Sequence, residues 1–177
     1  RNWGVAFAND STYGFDVQRT TESNGATVTN VRFSLLRSTK FPDPEADQGA
    51  HTIKFKVCPA ATIEDAVKLG YELNFPAREI MGNRSIGPLV RSSATQVVIE
   101  TVKLAEDGSG DLIVRLYEST GGRCNSRIVF AGVAEKISLT DFLEVPTSDD
   151  YVVGSSVDLQ FRPFQVITLR VSGLTID

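Results

Sequence analysis

Apolar and polar side chains alternate with period two along most of the chain. In "TIKFKVC" (52–58), Ile53, Phe55 and Val57 fall on one face and Lys54 and Lys56 on the other, which predicts a half-buried strand. In "DLIVRLY", Leu112, Val114 and Leu116 point one way and Ile113, Arg115 and Tyr117 the other. "ATVTNVRFSLL", "QVVIETVKL", "SRIVFA", "VDLQF" and "FQVITLRV" read as further strands, being rich in Val, Ile, Thr and Phe. "SNGA", "EDGSGD" and "TGGR" separate them as hairpin turns, where Gly adopts positive φ at little cost. In "LQFRPFQVITLRV" the strand must break or sit at an edge at Arg162-Pro163, because Pro cannot donate to a sheet ladder. Phe161, Phe164, Ile167, Leu169 and Val171 are expected to fill the core beside that break.

One segment departs from period two. "ATIEDAVKLGYELN" places Ile63, Ala66 and Val67 at helical spacing. Thr62 is the expected N-cap, with Asp65 three residues later as a short capping box, and Gly70 is the expected stop. The stretch from Arg78 to Thr95 is weakly periodic and rich in breakers, so it reads as a crossing between two β units. The pattern therefore predicts an all-β, antiparallel sandwich architecture with one short helix. The units are residues 1–88, which hold few strands, and 89–177, whose six or seven short strands suit a small sandwich. The chain starts at Arg1 rather than Met, which points to a piece of a longer polypeptide.

Composition narrows the partners. At 41% hydrophobic and 23% charged, the chain carries enough apolar material for a packed core. A net charge of −4 argues against a nucleic-acid surface. No apolar run is long enough to span a bilayer. Cys58 and Cys124 form no CxxC unit and read as ordinary thiols, although spacing alone leaves a disulfide open.

Candidate chemistry is sparse. With His51 as the single histidine, a His-rich metal site is excluded within the chain, and no Ser-His-Asp set or nucleophile elbow is recognisable. No Gly-rich loop opens a helix after a strand. The acids of "DPEAD" (Asp43, Glu45, Asp47) and "TSDDY" (Asp149, Asp150) read as solvated loops rather than an acid–base pair. "DPEAD" also lacks the alternation and central Gly of a calcium loop. The most specific feature is "SLLRSTKFPDPEADQGAH", from Ser34 to His51. It starts as an apolar strand, passes Arg37, stiffens at Pro42 and Pro44, and ends on His51, expected to be a structural, hydrogen-bonded histidine. "ANDSTYG" reads as a turn held by Asn and Asp side chains.

Five segments together, "GVAFANDSTYGFDV", "RFSLLRSTKFPDPEADQGAHTIKFKVCP", "YELNFP", "VKLAEDGSGDLIVRLYESTGGR" and "LQFRPFQVITLRV", resemble the C-terminal β-region of glycoside hydrolase family 38, the α-mannosidases. The likeness is to the cytosolic and bacterial or fungal vacuolar type. It implies a zinc-dependent, retaining enzyme that hydrolyses terminal α-mannosides, with zinc ligands and nucleophile on a catalytic barrel absent from this chain. On that basis residues 1–88 are the tail of a mutarotase-like super-sandwich and 89–177 a small terminal β-sandwich. The partners implied are the barrel of the same polypeptide, a mannoside and another copy in a homo-oligomer. The location implied is cytoplasmic, or vacuolar in a fungus. No cofactor is expected in these residues, and alone they are expected to be inactive.

In the family, the loop after the "SLLR"-type strand reaches the active-site mouth, and a basic residue there makes polar contacts with substrate. Arg37 is the matching position, and Asp43 and Asp47 are the companion substrate-binding candidates. A guanidinium offers five donors in fixed geometry, suited to sugar hydroxyls or a carboxylate of the barrel. The structural alternative is an Arg37 ion pair with Asp43 or Asp47. One departure stands out: many members have Pro-His where this chain has Pro59-Ala60. A free-standing carbohydrate-binding or structural module is the competing reading, and sugar binding would require a complete first unit and an exposed aromatic platform. Trp3, Tyr13, Tyr71, Tyr117 and Tyr151 are the candidates and form no obvious cluster in sequence.

Overall fold

The computed structural model describes residues 4–83 and 85–176. Trp3 lies outside them. The backbone divides into two compact units, residues 1–79 and 80–177. Among the described residues the strands are all antiparallel and one helix accompanies them.

In the first unit, β1 (Val5–Asn9) pairs with β4 (Phe55–Pro59), and β2 (Phe15–Thr21) pairs with β3 (Thr27–Phe33). Each is a two-stranded sheet, a size that is marginal in water without further cover. The helix α1 (Ile63–Asn74) supplies cover for one face. Its capping box forms as predicted: the Thr62 hydroxyl accepts from Asp65 N, and the Asp65 carboxylate accepts from Thr62 N at 2.9 Å. Gly70 does not end it. The helix runs on to Asn74, whose side-chain amide donates to Gly70 O at 2.9 Å and to Asn9 O at 3.2 Å, tying this end to β1.

Strand β4 reverses the predicted faces. Lys56 and Cys58 are its half-buried positions, and Phe55 and Val57 are exposed. The register explains this. Ala6 and Ala8 oppose Cys58 and Lys56, and these small side chains let α1 pack closely on that face. The bulky face of Val5, Phe7, Phe55 and Val57 is left bare, touched by Phe33, whose ring centroid lies 5.7 Å from that of Phe7 and 5.4 Å from that of Phe55. The predicted strand "ATVTNVRFSLL" also stops early, at Phe33, and Ser34–Leu36 are irregular.

The second unit is one six-stranded antiparallel sheet: β5 (Val90–Ser92), β6 (Val97–Leu104), β7 (Leu112–Glu118), β8 (Cys124–Thr140), β9 (Val152–Phe161) and β10 (Val166–Ser172). The order is β5-β8-β10-β7-β6, with β9 also on β8. The long β8 pairs with β9 along its first part and with β10 along its last, and β5 comes back against β6. The sheet thereby wraps around its own core. Val114, Leu116, Ile128, Ile137, Leu169 and Val171 fill that core, each essentially without exposure. Ile113 is as buried as Val114, so β7 is covered on both faces. Phe164, predicted in the core, is 66% exposed, because the break at Pro163 turns it outward with φ +56°. Both cysteines are free thiols.

Candidate functional site

The candidate site lies in the first unit and starts from a turn. Asn9 Oδ1 accepts from Ser11 N at 3.2 Å and Thr12 N at 2.8 Å, an Asx turn written by residue type. Asp10 accepts from Lys54 N at 3.0 Å, and this amide is the main cause that holds its carboxyl below the usual range. The turn is thus fastened to the strand that follows the long loop. Beyond it, Ser34 N donates to Gly14 O at 2.9 Å. The two chain segments approach so closely that a Cβ on Gly14 would lie 2.9 Å from Ser34 Cβ.

The loop after Ser34 is held by bonds within itself. Asp43 Oδ1 accepts from Glu45 N at 2.9 Å, and Asp43 O accepts from Ala46 N at 3.3 Å. Asp47 Oδ2 accepts from Ser38 N at 2.9 Å and so closes the loop at its base. Ser38 and Asp47 both sit at positive φ, 49° and 60°, a conformation that short polar side chains with local hydrogen bonds tolerate. His51 Nε2 lies 3.0 Å from Asp47 O; a carbonyl only accepts, so Nε2 carries the proton. His51 is hydrogen-bonded but exposed.

These constraints leave Arg37 free. It is exposed and, among the described residues, makes no hydrogen bond or ion pair. The alternative pair with Asp43 or Asp47 does not form; one oxygen of each carboxylate accepts from a loop amide instead. Arg37 and Asp47 line an open cleft of about 1040 Å³ with Thr12, Tyr13, Leu36 and His51. Asp43 does not line it. The Thr12 hydroxyl is buried there without a partner, and Tyr13 is 97% exposed. The cleft therefore offers an unused guanidinium and one aromatic ring, groups suited to holding a polyol. Among the described residues no three His, Cys, Asp or Glu side chains converge as a metal centre requires, so no chemical step is assigned to a zinc ion within them.

The tightest polar constellations lie elsewhere and were not singled out from sequence. Glu118 is fully buried at the end of β7. Burial pushes its carboxyl up, but hydrogen bonds from Thr120 Oγ1 and from the amides of Phe164, Thr120 and Gly121 outweigh this and bring it down to about 2. Arg170 Nε donates to Asp111 at 2.7 Å and Nη2 to Asp107 at 2.6 Å, clamping the β6–β7 turn to β10. Ser109 first, and then Arg170, hold the Asp107 carboxyl down at about 2. Burial, then the Glu118 charge, raises the Cys124 thiol. An acid immediately before "STGG" was the available signal for Glu118, since such a carboxylate can cap the amides of the turn after it.

Residues 96–169 match the model of the glycosyl hydrolases family 38 C-terminal beta sandwich domain. Over 179 residues the chain is 32% identical to Alpha-mannosidase 2C1 of Homo sapiens, covering 94% of this chain and 16% of that protein. It is 28% identical over 195 residues to the Alpha-mannosidase of Saccharomyces cerevisiae, covering 95% of this chain and 17% of that one. Alpha-mannosidase G of Dictyostelium discoideum is 26% identical, at 96% and 16% coverage. The chain thus spans about a sixth of the length of each of these relatives.

Proposed function

Because this chain belongs to the C-terminal β-region of glycoside hydrolase family 38, we propose that it serves as the accessory part of a zinc-dependent, retaining α-mannosidase acting on terminal α-mannosides. The zinc and the chemical step belong to a catalytic barrel outside these residues. The chain stabilises that barrel and lends the loop from Arg37 to His51 to the active-site mouth. There the Arg37 guanidinium donates to substrate hydroxyls. Asp47 acts through the loop it closes, and Asp43 through the loop's inner turn. A cytoplasmic or, in a fungus, vacuolar location goes with this reading.

The observation that carries it is an exposed arginine without an ion-pair partner at the root of a loop in which Asp43 and Asp47 accept from backbone amides instead. An exposed ion pair would contribute little and would not need such a loop. The bare apolar face of the first unit supports the reading too. Val5, Phe7, Phe15, Val17 and Val57 all stand exposed on two-stranded sheets, a face that calls for cover from further parts of a larger protein.

The test compares the complete polypeptide with the 177-residue chain on 4-nitrophenyl α-mannoside, each with and without a metal chelator. Activity in the complete protein alone, lost on chelation, supports the reading. Arg37→Ala in that protein is then expected to lower kcat/KM by about tenfold or more with unchanged folding, the loss of a charge-assisted hydrogen bond to substrate. An unchanged kcat/KM would leave the chain a structural support without a hand in substrate binding. No activity in either protein would favour an independent sugar-binding module.

A further inference from the structure

The first turns of the β8–β9 ribbon carry a feature unrelated to the Arg37 cleft. Cys124 opposes Phe161 and Asn125 opposes Gln160. Cys124 and Phe161 face inward, so the alternation of a strand sends Arg123, Asn125, Gln160 and Arg162 outward. Arg123 and Arg162 each lie one position beyond the Cys124–Phe161 pair, at the ends of their strands. Two like charges at neighbouring cross-strand positions repel.

Nothing nearby neutralises them. Among the described residues neither arginine makes an ion pair, whereas Arg127, further along β8, is matched by Asp158 at 2.8 Å. The buried Glu118 carboxylate, close enough to act on Cys124, is turned onto its own four hydrogen bonds. Gln165 Oε1 accepts from Arg162 N at 2.9 Å and from Arg162 Nε at 3.4 Å. That contact orients the guanidinium and leaves its Nη edge unbonded.

Arg123, Asn125, Gln160, Arg162 and Gln165 line one open cleft of about 610 Å³, with no carboxylate in its wall. Two guanidinium groups and the amide donors of three side chains outnumber what the two oxygens of a carboxylate can accept. They suit a tetrahedral oxyanion, whose several oxygens each take more than one hydrogen bond. In a chain of net charge −4, an uncompensated pair of arginines ringed by amides is a local exception to the overall field.

We propose that this cleft, between Arg123 and Arg162 on the outer face of the β8–β9 ribbon, binds a phosphate group, either free or carried on a sugar. The site stands apart from the proposed Arg37 contact and does not depend on it.

The test is a titration of the ¹⁵N-labelled chain with inorganic phosphate at constant ionic strength, followed by amide shifts. Saturable shifts confined to residues 123–127 and 160–165 are expected. Arg123→Gln and Arg162→Gln are each expected to weaken binding about tenfold, the loss of one charge-assisted contact. Arg19→Gln, on the hairpin of the other unit, should leave it unchanged. Both arginines are exposed, so the variants should fold, and the unperturbed spectrum of each confirms it. Hexose 6-phosphate binding more tightly than inorganic phosphate would identify a sugar phosphate as the ligand, and equal affinities would identify the free ion. Non-saturating shifts, shifts spread over basic residues of both units, unchanged affinity in both Gln variants, or acetate binding as tightly as phosphate would each overturn the proposal.

Discussion

The Glu118 carboxylate accepts a hydrogen bond from the backbone N–H of Phe164 at 3.1 Å, across 46 positions of sequence. This bond ties the turn after β7 to the turn that leads into β10. It also holds Phe164 at φ +56°, a conformation rare for an aromatic residue. Removing the carboxylate orphans three backbone amides, those of Thr120, Gly121 and Phe164. Glu118→Ala is therefore expected to destabilise the second unit by about 3 kcal/mol, checked by urea unfolding. A loss under 1 kcal/mol would mean that solvent satisfies those amides.

The same carboxylate gives the second unit an acid-sensitive stability. Its folded value, about 2, lies below its ordinary value of 4.5. A depressed folded value means that the stabilisation is complete above 4.5 and is lost as pH falls through the window from 4.5 to 2. Unfolding free energy measured across that window should fall more steeply for the native chain than for Glu118→Gln. Parallel curves would assign acid sensitivity to other groups.

The turn at Asp107–Asp111 separates two causes of one shift. A Ser109 hydrogen bond is the first cause that lowers the Asp107 carboxyl, and the hydrogen bond and charge of Arg170 add to it. Ser109→Ala and Arg170→Ala should therefore each raise the Asp107 titration midpoint, as read from carboxyl ¹³C shifts. An unchanged midpoint in either variant would remove that side chain from the causes of the shift.

Gly132 meets the C-terminal segment at a distance that admits no side chain. Val133 N donates to Thr175 O at 3.0 Å and Thr175 N returns the bond at 2.9 Å. A Cβ on Gly132 would lie 1.9 Å from Thr175 O. Gly132→Ala should detach this pairing, with loss of hydrogen-exchange protection at Val133 and Thr175 and a destabilisation of about 1–2 kcal/mol. Full protection at both amides would show that β8 shifts to make room.

Thr62→Ala removes one half of the capping box of α1, and the other half, Asp65 to Thr62 N, can remain. The expected cost is about 1 kcal/mol, seen as a lower thermal midpoint of the first unit. A neutral result would mean that Asp65 alone caps the helix.

The sequence by itself determined what depends on neighbours along the chain. The Thr62–Asp65 cap, the Gly-containing hairpin turns, the break at Pro163 and the period-two strands are local, because each is set by residues within a few positions of one another. The family likeness was legible for the same reason, since its motifs are runs of adjacent residues. The exposed faces were not legible. Phe55 and Val57 look like core in "TIKFKVC", yet the choice of face was made by Ala6 and Ala8, some 50 positions earlier, which admit the helix on the other side. The freedom of Arg37 was likewise decided in three dimensions, by a loop path that turns Asp43 and Asp47 onto backbone amides. Glu118 met Phe164, and Arg123 came to line one cleft with Arg162, only through strand register. A register is fixed by the packing of the whole sheet, and no single segment carries it.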